Sequence, residues 1–199
     1  MKIEGYSPSQ GKSETTAYLP DFSADHIEDV DFAFLHENLG VRHVLLDLDL
    51  TIRRRHADEL EAQTITALAA IRPTYGFETL NLVTTNTHNL RRFSEPIGAN
   101  VFQPFRHHGR VIRKPQPAFF AHVLEKLHAR PEESIMIDDR LRIIRGANRL
   151  GMYTLLMQPL GHDYLTDRLR LTRFRDQRRL RAARAALALA REVHKDVGR

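Results

Sequence analysis

A doubly wound, Rossmann-like α/β fold with a mainly parallel sheet follows from three features of this 199-residue chain. Short apolar runs alternate with amphipathic stretches of helical length. Two of the runs, Val44-Leu45-Leu46 and Ile135-Met136-Ile137, contain no polar residue, and each ends in acid: Asp47-Leu48-Asp49 after the first, Asp138-Asp139 after the second. Unbroken apolar runs belong to strands covered on both faces, as in a parallel sheet between helix layers. A carboxylate inside such a strand would be expensive without a partner, so these acids belong just beyond the strands' carboxyl ends.

The other elements keep the same alternation. Residues 1–18 are polar and rich in Gly, Ser, Thr and Pro, and are expected to be flexible. Gly11-Lys12-Ser13 hints at a phosphate loop but lacks the earlier glycine and a preceding strand. Residues 31–38 read as a short helix with Asp31 as N-cap and Gly40 as its stop, feeding the strand that ends at Asp47. A helix over 58–71 follows, with Leu60, Ile65, Leu68 and Ile71 on one side, then a strand over 79–84 closed by Thr85-Asn86-Thr87. A helix over 89–94, a strand over 100–102 and a helix over 117–128, buried through Phe120, Val123, Leu124 and Leu127, come next. The second acid-ended strand, a helix to Leu150 and a last strand over 153–157 complete a parallel α/β pattern.

Composition narrows the function classes. Apolar residues make up 42%, enough for a real core at this length. The absence of cysteine excludes disulfides, thiolate metal sites and cysteine nucleophiles, and suits a reducing compartment. No apolar run approaches the ~20 residues that cross a bilayer, and the amino-terminal stretch lacks the apolar core of a secretion signal, so the expected location is intracellular. The formal charge is +5 and the pI about 9.8. That excess is local: nine arginines and one acid, Asp176, lie between Arg168 and Arg191. The histidines show no ligand spacing, and His107-His108 reads as part of a polar loop.

Strand carboxyl ends in a parallel sheet share one edge. Asp47, Asp49, Thr85, Asp138 and Asp139, with Lys114 at the mouth of the 117–128 helix, can therefore meet in one crevice. Such a set suits phosphoryl transfer: one carboxylate attacks phosphorus, a second moves the proton, and a hydroxyl and an ammonium hold the phosphoryl oxygens. Clustered carboxylates repel one another, which a hard cation such as Mg²⁺ relieves.

On these residues the sequence resembles the haloacid dehalogenase-like (HAD) superfamily of phosphatases over residues 19–159. Asp47-Leu48-Asp49-Leu50-Thr51 matches its first motif, Thr85 the second, Lys114 the third and Asp138-Asp139 the fourth. The resemblance implies Asp47 as nucleophile and Asp49 as general acid and base. Thr85 and Lys114 would hold the phosphate, with Asn86 beside them, and Mg²⁺ would sit on Asp47, on Asp49 through its carbonyl, and on Asp138 or Asp139. Within the superfamily the sequence is similar to the YqeG-like group, which resembles phosphatidylglycerophosphate phosphatases of the cardiolipin pathway. Leu19-Pro20-Asp21, Arg113-Lys114-Pro115, the stretch from Gly146 to Thr154, and Thr172-Arg173-Phe174 carry that similarity. The chain departs from it at Leu50, where the group has Asn, and at Ile143, where an acid is common; Asp139 is the candidate replacement.

The intervals of 38 residues from Asp47 to Thr85 and 29 from Thr85 to Lys114 leave no room for a large cap domain. The expected organisation is a flexible 1–18, a capless phosphatase domain over 19–163 and a basic helix over 164–199. An open site favours a phosphate carried on something large. Leu165, Leu169, Leu180, Ala183 and Leu187 give the tail an apolar side, which either lies on anionic lipid, at ~1 kcal/mol per basic residue, or packs on the domain. Arg53-Arg54-Arg55 is either a solvated loop or a collector of anionic substrate, Arg53 foremost. The expected function is Mg²⁺-dependent hydrolysis of phosphatidylglycerophosphate by a cytoplasmic protein peripheral on the inner membrane face, or by one in an organelle matrix. The rivals are a capless phosphatase for a protein, nucleic-acid end or sugar phosphate, and a non-catalytic nucleic-acid-binding module using the arginine tail. The tail has no aromatic stacking motif, so nucleic acid is not the expected partner.

Overall fold

In the computed structural model, which describes residues 1–3, 16–54, 56–160 and 177–185, the two apolar runs lie side by side at the centre of one sheet. The strands in chain order are β1 (Lys2–Ile3), β2 (Phe22–Ala24), β3 (His43–Leu46), β4 (Thr79–Val83), β5 (Asn100–Phe102), β6 (Phe105–His107), β7 (Arg110–Ile112), β8 (Ser134–Asp138) and β9 (Tyr153–Met157). The helices are α1 (Phe32–Glu37), α2 (Ala62–Ala69), α3 (Ile71–Tyr75), α4 (Arg91–Ser94), α5 (Pro117–Leu127) and α6 (Leu141–Asn148). Strand order across the sheet is β1-β2-β9-β8-β3-β4-β5, with β6 and β7 forming a separate hairpin. Only the edge pair β1–β2 is antiparallel; the five other pairings in the sheet are parallel.

Successive residues of the central strands face opposite layers, as pleating requires. Val44, Leu46, Ile135 and Ile137 pack with Phe32, Leu35, Leu68, Ile71 and Phe93 on the α1–α4 side. Leu45 and Met136 pack with Phe119, Phe120, Val123, Ile143 and Ala147 from α5 and α6 on the other. Both faces are covered, which is why neither run alternates with polar residues.

Three expectations need correction. The single helix over 58–71 is α2 and α3, which meet at Ala70. Pro73 lacks the N–H that would bond the Ala69 carbonyl, and its ring would collide with that carbonyl, so one continuous helix cannot run through. Residues 1–18 are not uniformly loose: Lys2–Ile3 pairs with β2, and Thr16–Tyr18 forms a 3₁₀ turn whose Tyr18 ring lies 4.8 Å from the Arg145 guanidinium. Gly11-Lys12-Ser13 lies outside the described residues. His107-His108 is not in an irregular loop but closes the β6–β7 hairpin, where His108 and Gly109 both take positive φ, 46° and 74°. α1 is as expected, its cap Asp31 accepting from the Phe34 N–H at 2.9 Å.

Of the tail, residues 177–185 are helical, with Ala183 buried and the Arg179 guanidinium 5.4 Å from the Tyr18 ring. The described part thus packs on the domain; Leu165, Leu169, Leu187 and Thr172-Arg173-Phe174 lie outside the described residues. Among the described residues no helix is long and apolar enough to cross a membrane.

Several residues that carry the YqeG-like similarity form a buried hydrogen-bond network. Asp21 Oδ2 accepts from both the Thr154 N–H and the Thr154 hydroxyl at 2.9 Å, and Asn148 Nδ2 donates to the Ala17 and Leu19 carbonyls at 2.8 and 2.9 Å. This ties the chain entering β2 to β9 and α6. Asp21→Ala strands the Thr154 N–H away from water, and denaturant unfolding is expected to report a loss on the order of 3 kcal/mol. A loss indistinguishable from a surface substitution would contradict the scaffold role.

Candidate active site

From β3 the chain proceeds outward to β4 and β5, then returns to β8 on the opposite flank and continues to β9. Loops diverge at such a reversal and leave a crevice beyond the strands' carboxyl ends. Asp47 stands there because it follows β3 directly, its N–H donating to the Ile137 carbonyl at 3.0 Å. Asp138 is the last residue of β8, next door.

Lys114 joins the two. Its Nζ donates to Asp47 Oδ1 at 2.5 Å and to Asp138 Oδ2 at 2.9 Å, and all three side chains are largely buried. The loop bearing Lys114 is pressed by α6: a methyl group on Gly146 would lie 2.6 Å from the Pro115 carbonyl oxygen, so only glycine lets the helix come this near. Thr51 donates its hydroxyl to Asp47 Oδ2 at 3.3 Å, and the Arg140 N–H donates to Asp138 Oδ1 at 3.0 Å.

Asp47, Lys114, Asp138 and Arg140 line a cavity of about 50 Å³ together with Asp49, Thr84 and Thr85. The structure therefore brings Asp47, Asp49, Thr85, Lys114 and Asp138 together. Asn86 and Arg53 line a larger cleft of about 690 Å³ that shares Asp49 and Arg140 with the small cavity. Asp49 turns its carboxylate to an ion pair with Arg53, outside the group of Asp47, Asp138 and Asp139, which leaves its main-chain carbonyl as the metal contact the resemblance implies. Thr84, Arg140 and Arg142 were not singled out from the sequence, and Thr51 only as the end of the first motif. Arg140 and Arg142 sit in the Arg-Leu-Arg run directly after Asp139, the one signal that could have found them.

The two motif departures have local reasons. Leu50 has φ 68°, the left-handed region that Asn enters readily and that costs another residue roughly 1–2 kcal/mol. Its side chain is buried, which offsets part of that cost. Ile143 is buried in the layer between the sheet and α5.

Asp47, Asp138 and Asp139 can each point an oxygen into a group whose members lie within 4.8 Å of one another. Burial is the main cause that pushes the Asp138 carboxyl up to about 6 and the Asp139 carboxyl up to about 8, each further raised by neighbouring carboxylates. Burial alone would lower the Lys114 ammonium, but Asp138 and Asp47 outweigh it and hold its pKa above the usual lysine value. Lys114 and, from the rim, Arg140, whose Nε lies 3.6 Å from Asp139 Oδ1, thus face three carboxylates, and that Asp139 oxygen is buried without a hydrogen bond. An all-oxygen set with an orphaned buried acceptor and a charge deficit fits a hard divalent cation.

That misfit has a pH signature. Carboxyls raised in the folded state stabilise it fully below about pH 4, and this stability is lost as pH rises through about 6 and 8. Mg²⁺ is therefore expected to raise the melting temperature more near pH 8 than near pH 5, and Asp139→Asn to flatten the difference. Equal shifts at both pH values would remove Asp139 from the metal group.

A HAD-hydrolase-like family model matches residues 111–159, the segment that carries Lys114, Asp138 and Asp139. That match spans about a quarter of the chain and makes this segment similar to HAD-like hydrolases. Part of the chain is 44% identical to a glyceraldehyde 3-phosphate phosphatase of Methanopyrus kandleri; the match spans 28% of this chain and 28% of that curated relative. Among solved structures, a HAD family enzyme of Bacteroides thetaiotaomicron in complex with magnesium and inorganic phosphate is 15% identical, covering 63% of this chain and 98% of that one, at a TM-score of 0.44. The cobalt-bound deoxy-D-mannose-octulosonate 8-phosphate phosphatase of Haemophilus influenzae is 12% identical over 59% of this chain and 68% of that one, at 0.44. An uncharacterised Listeria monocytogenes protein is 20% identical over 63% and 85%, at 0.45.

Proposed function

We propose that the chain is a Mg²⁺-dependent phosphomonoesterase working through an aspartyl phosphate. The observation that carries this is Asp47 in a small cavity with Lys114, Thr84, Thr85 and Asp138, at the sheet's reversal point. An Asp47 oxygen forms a bond to phosphorus while the ester P–O bond breaks, and Asp49 gives the departing oxygen its proton. Water then attacks the same phosphorus and passes its proton to Asp49; the bond to Asp47 breaks and inorganic phosphate leaves. Lys114 and the Thr84 and Thr85 hydroxyls face the phosphoryl oxygens, and the buried setting strengthens those contacts. Asp47, Asp138 and Asp139 would hold Mg²⁺, which supplies charge neutralisation to the phosphoryl group when bound.

The substrate this reading favours is phosphatidylglycerophosphate, taken at an anionic membrane surface by a cytoplasmic, peripheral protein. Its support is the YqeG-like similarity, the basic tail, and the absence of any cap-sized insertion among the described residues between Asp47 and Lys114. A soluble sugar phosphate is the second reading, favoured by the glyceraldehyde 3-phosphate phosphatase match. Phosphate release from phosphatidylglycerophosphate in mixed micelles, compared with glyceraldehyde 3-phosphate, separates the two. Strict preference for the soluble ester would end the lipid assignment, and no release from any ester in Mg²⁺ would end the phosphatase one.

A further inference from the structure

The small cavity, about 50 Å³, is far smaller than the adjoining cleft of about 690 Å³ and is lined by the groups that would hold a phosphoryl group. The organic part of any ester must therefore lie outside it. If Asp49 protonates the departing oxygen, the way out is past Asp49, and the cavity that shares Asp49 is the 690 Å³ cleft. The chemistry of that cleft then describes the leaving group.

Its walls are cationic. Arg53, Arg92 and Arg140 face two carboxylates, Asp49 and Asp58. The Arg53 and Arg92 guanidiniums both lie over the ring of Phe93, at 4.5 and 4.8 Å, which holds them as a pair on one apolar support. Arg53 is more than nine-tenths buried and donates to the Asp49 carboxylate and, at 3.2 Å, to the Ala57 carbonyl, so its charge is fixed at the cleft wall. Arg92 is paired with Asp58 at 2.8 Å, but both side chains are more than half exposed, and water-screened pairs of this kind yield cheaply to a better anion.

We propose that this cleft is a leaving-group subsite for a second phosphate, monoester or diester, gripped by Arg92 and Arg53. The substrate class is an organic phosphate whose leaving group carries a further phosphate a few bonds away. The proposal rests on the phosphatase reading for the direction in which the leaving group points.

The test is equilibrium binding to full-length Asp47→Asn protein in Mg²⁺ buffer, which does not depend on turnover. Propanediol bisphosphate is expected to bind at least tenfold tighter than propyl phosphate, about 1.4 kcal/mol. Arg92→Ala in that background removes most of the advantage, and Asp58→Ala, which deletes the competing carboxylate, enlarges it. Both positions are surface-exposed, so neither change threatens the fold. Competition by micellar phosphatidylglycerophosphate but not by phosphatidic acid supports the subsite with a lipid headgroup as its source; competition by the soluble bisphosphate alone supports it with a soluble one. Equal binding of the two propyl probes, or an advantage that survives Arg92→Ala, overturns the subsite even if wild-type protein hydrolyses both. Tighter bisphosphate binding with no hydrolysis by wild type leaves the subsite standing and brings down the phosphatase reading instead.

Discussion

Asp47→Asn is expected to lower phosphate release by on the order of 10⁴-fold or more, the scale seen when a nucleophile is deleted from a preorganised site. The fold should survive it. The amide oxygen can still accept from Lys114 Nζ, the amide N–H can donate to the Thr51 hydroxyl oxygen, and the volume is unchanged, so both contacts of the native carboxylate have replacements. Lys114 also keeps its second ion pair, to Asp138. Circular dichroism and unfolding should therefore match wild type within about 1 kcal/mol. Acid-quenched protein incubated with ³²P-labelled substrate should carry label on wild type and none on the variant. Substantial turnover by the variant would move the nucleophile elsewhere.

The parts of this site legible from sequence are those set by strand chemistry. An apolar strand that ends in acid announces a carboxyl edge, and Asp47 and Asp138 could be paired before any coordinates because adjacent parallel strands bring their ends together. What the sequence hid depends on tertiary approach. Nothing local marks Gly146 as the point where α6 meets the Pro115 carbonyl, or Phe93 as the ring under Arg53 and Arg92. The edge strand β1 and the hairpin strands β6 and β7 are two or three residues long, too short for any period to register. Asp21, Asn148 and Thr154 show the opposite hazard: as a sequence signature they suggest function, but they are spent on holding β2, β9 and α6 together.

Lys114 is where stability and chemistry coincide, so its removal should produce two separable losses. Its ammonium ion-pairs with both Asp47 and Asp138, and both bonds are buried. Lys114→Met keeps the aliphatic stem and deletes the charge, leaving two carboxylates desolvated without compensation; removing one partner of a buried pair costs about 3–5 kcal/mol. The carboxylates would respond by holding protons to higher pH, so the variant's stability deficit should shrink on acidification, the sign expected of acids whose folded pKa is raised. Saturating Mg²⁺ should restore part of the stability, because a cation on Asp47, Asp138 and Asp139 relieves the same repulsion. Turnover should not follow if Lys114 holds the phosphoryl oxygens as proposed, since such a donor is worth about 10²–10³ in rate and a cation that only balances charge does not replace it. Denaturant unfolding at two pH values with and without Mg²⁺, alongside steady-state kinetics, separates these effects. Full rescue of turnover by Mg²⁺ would reduce Lys114 to a charge-balancing role, whereas a stability deficit independent of pH would mean that its ion pairs with Asp47 and Asp138 contribute little to the fold.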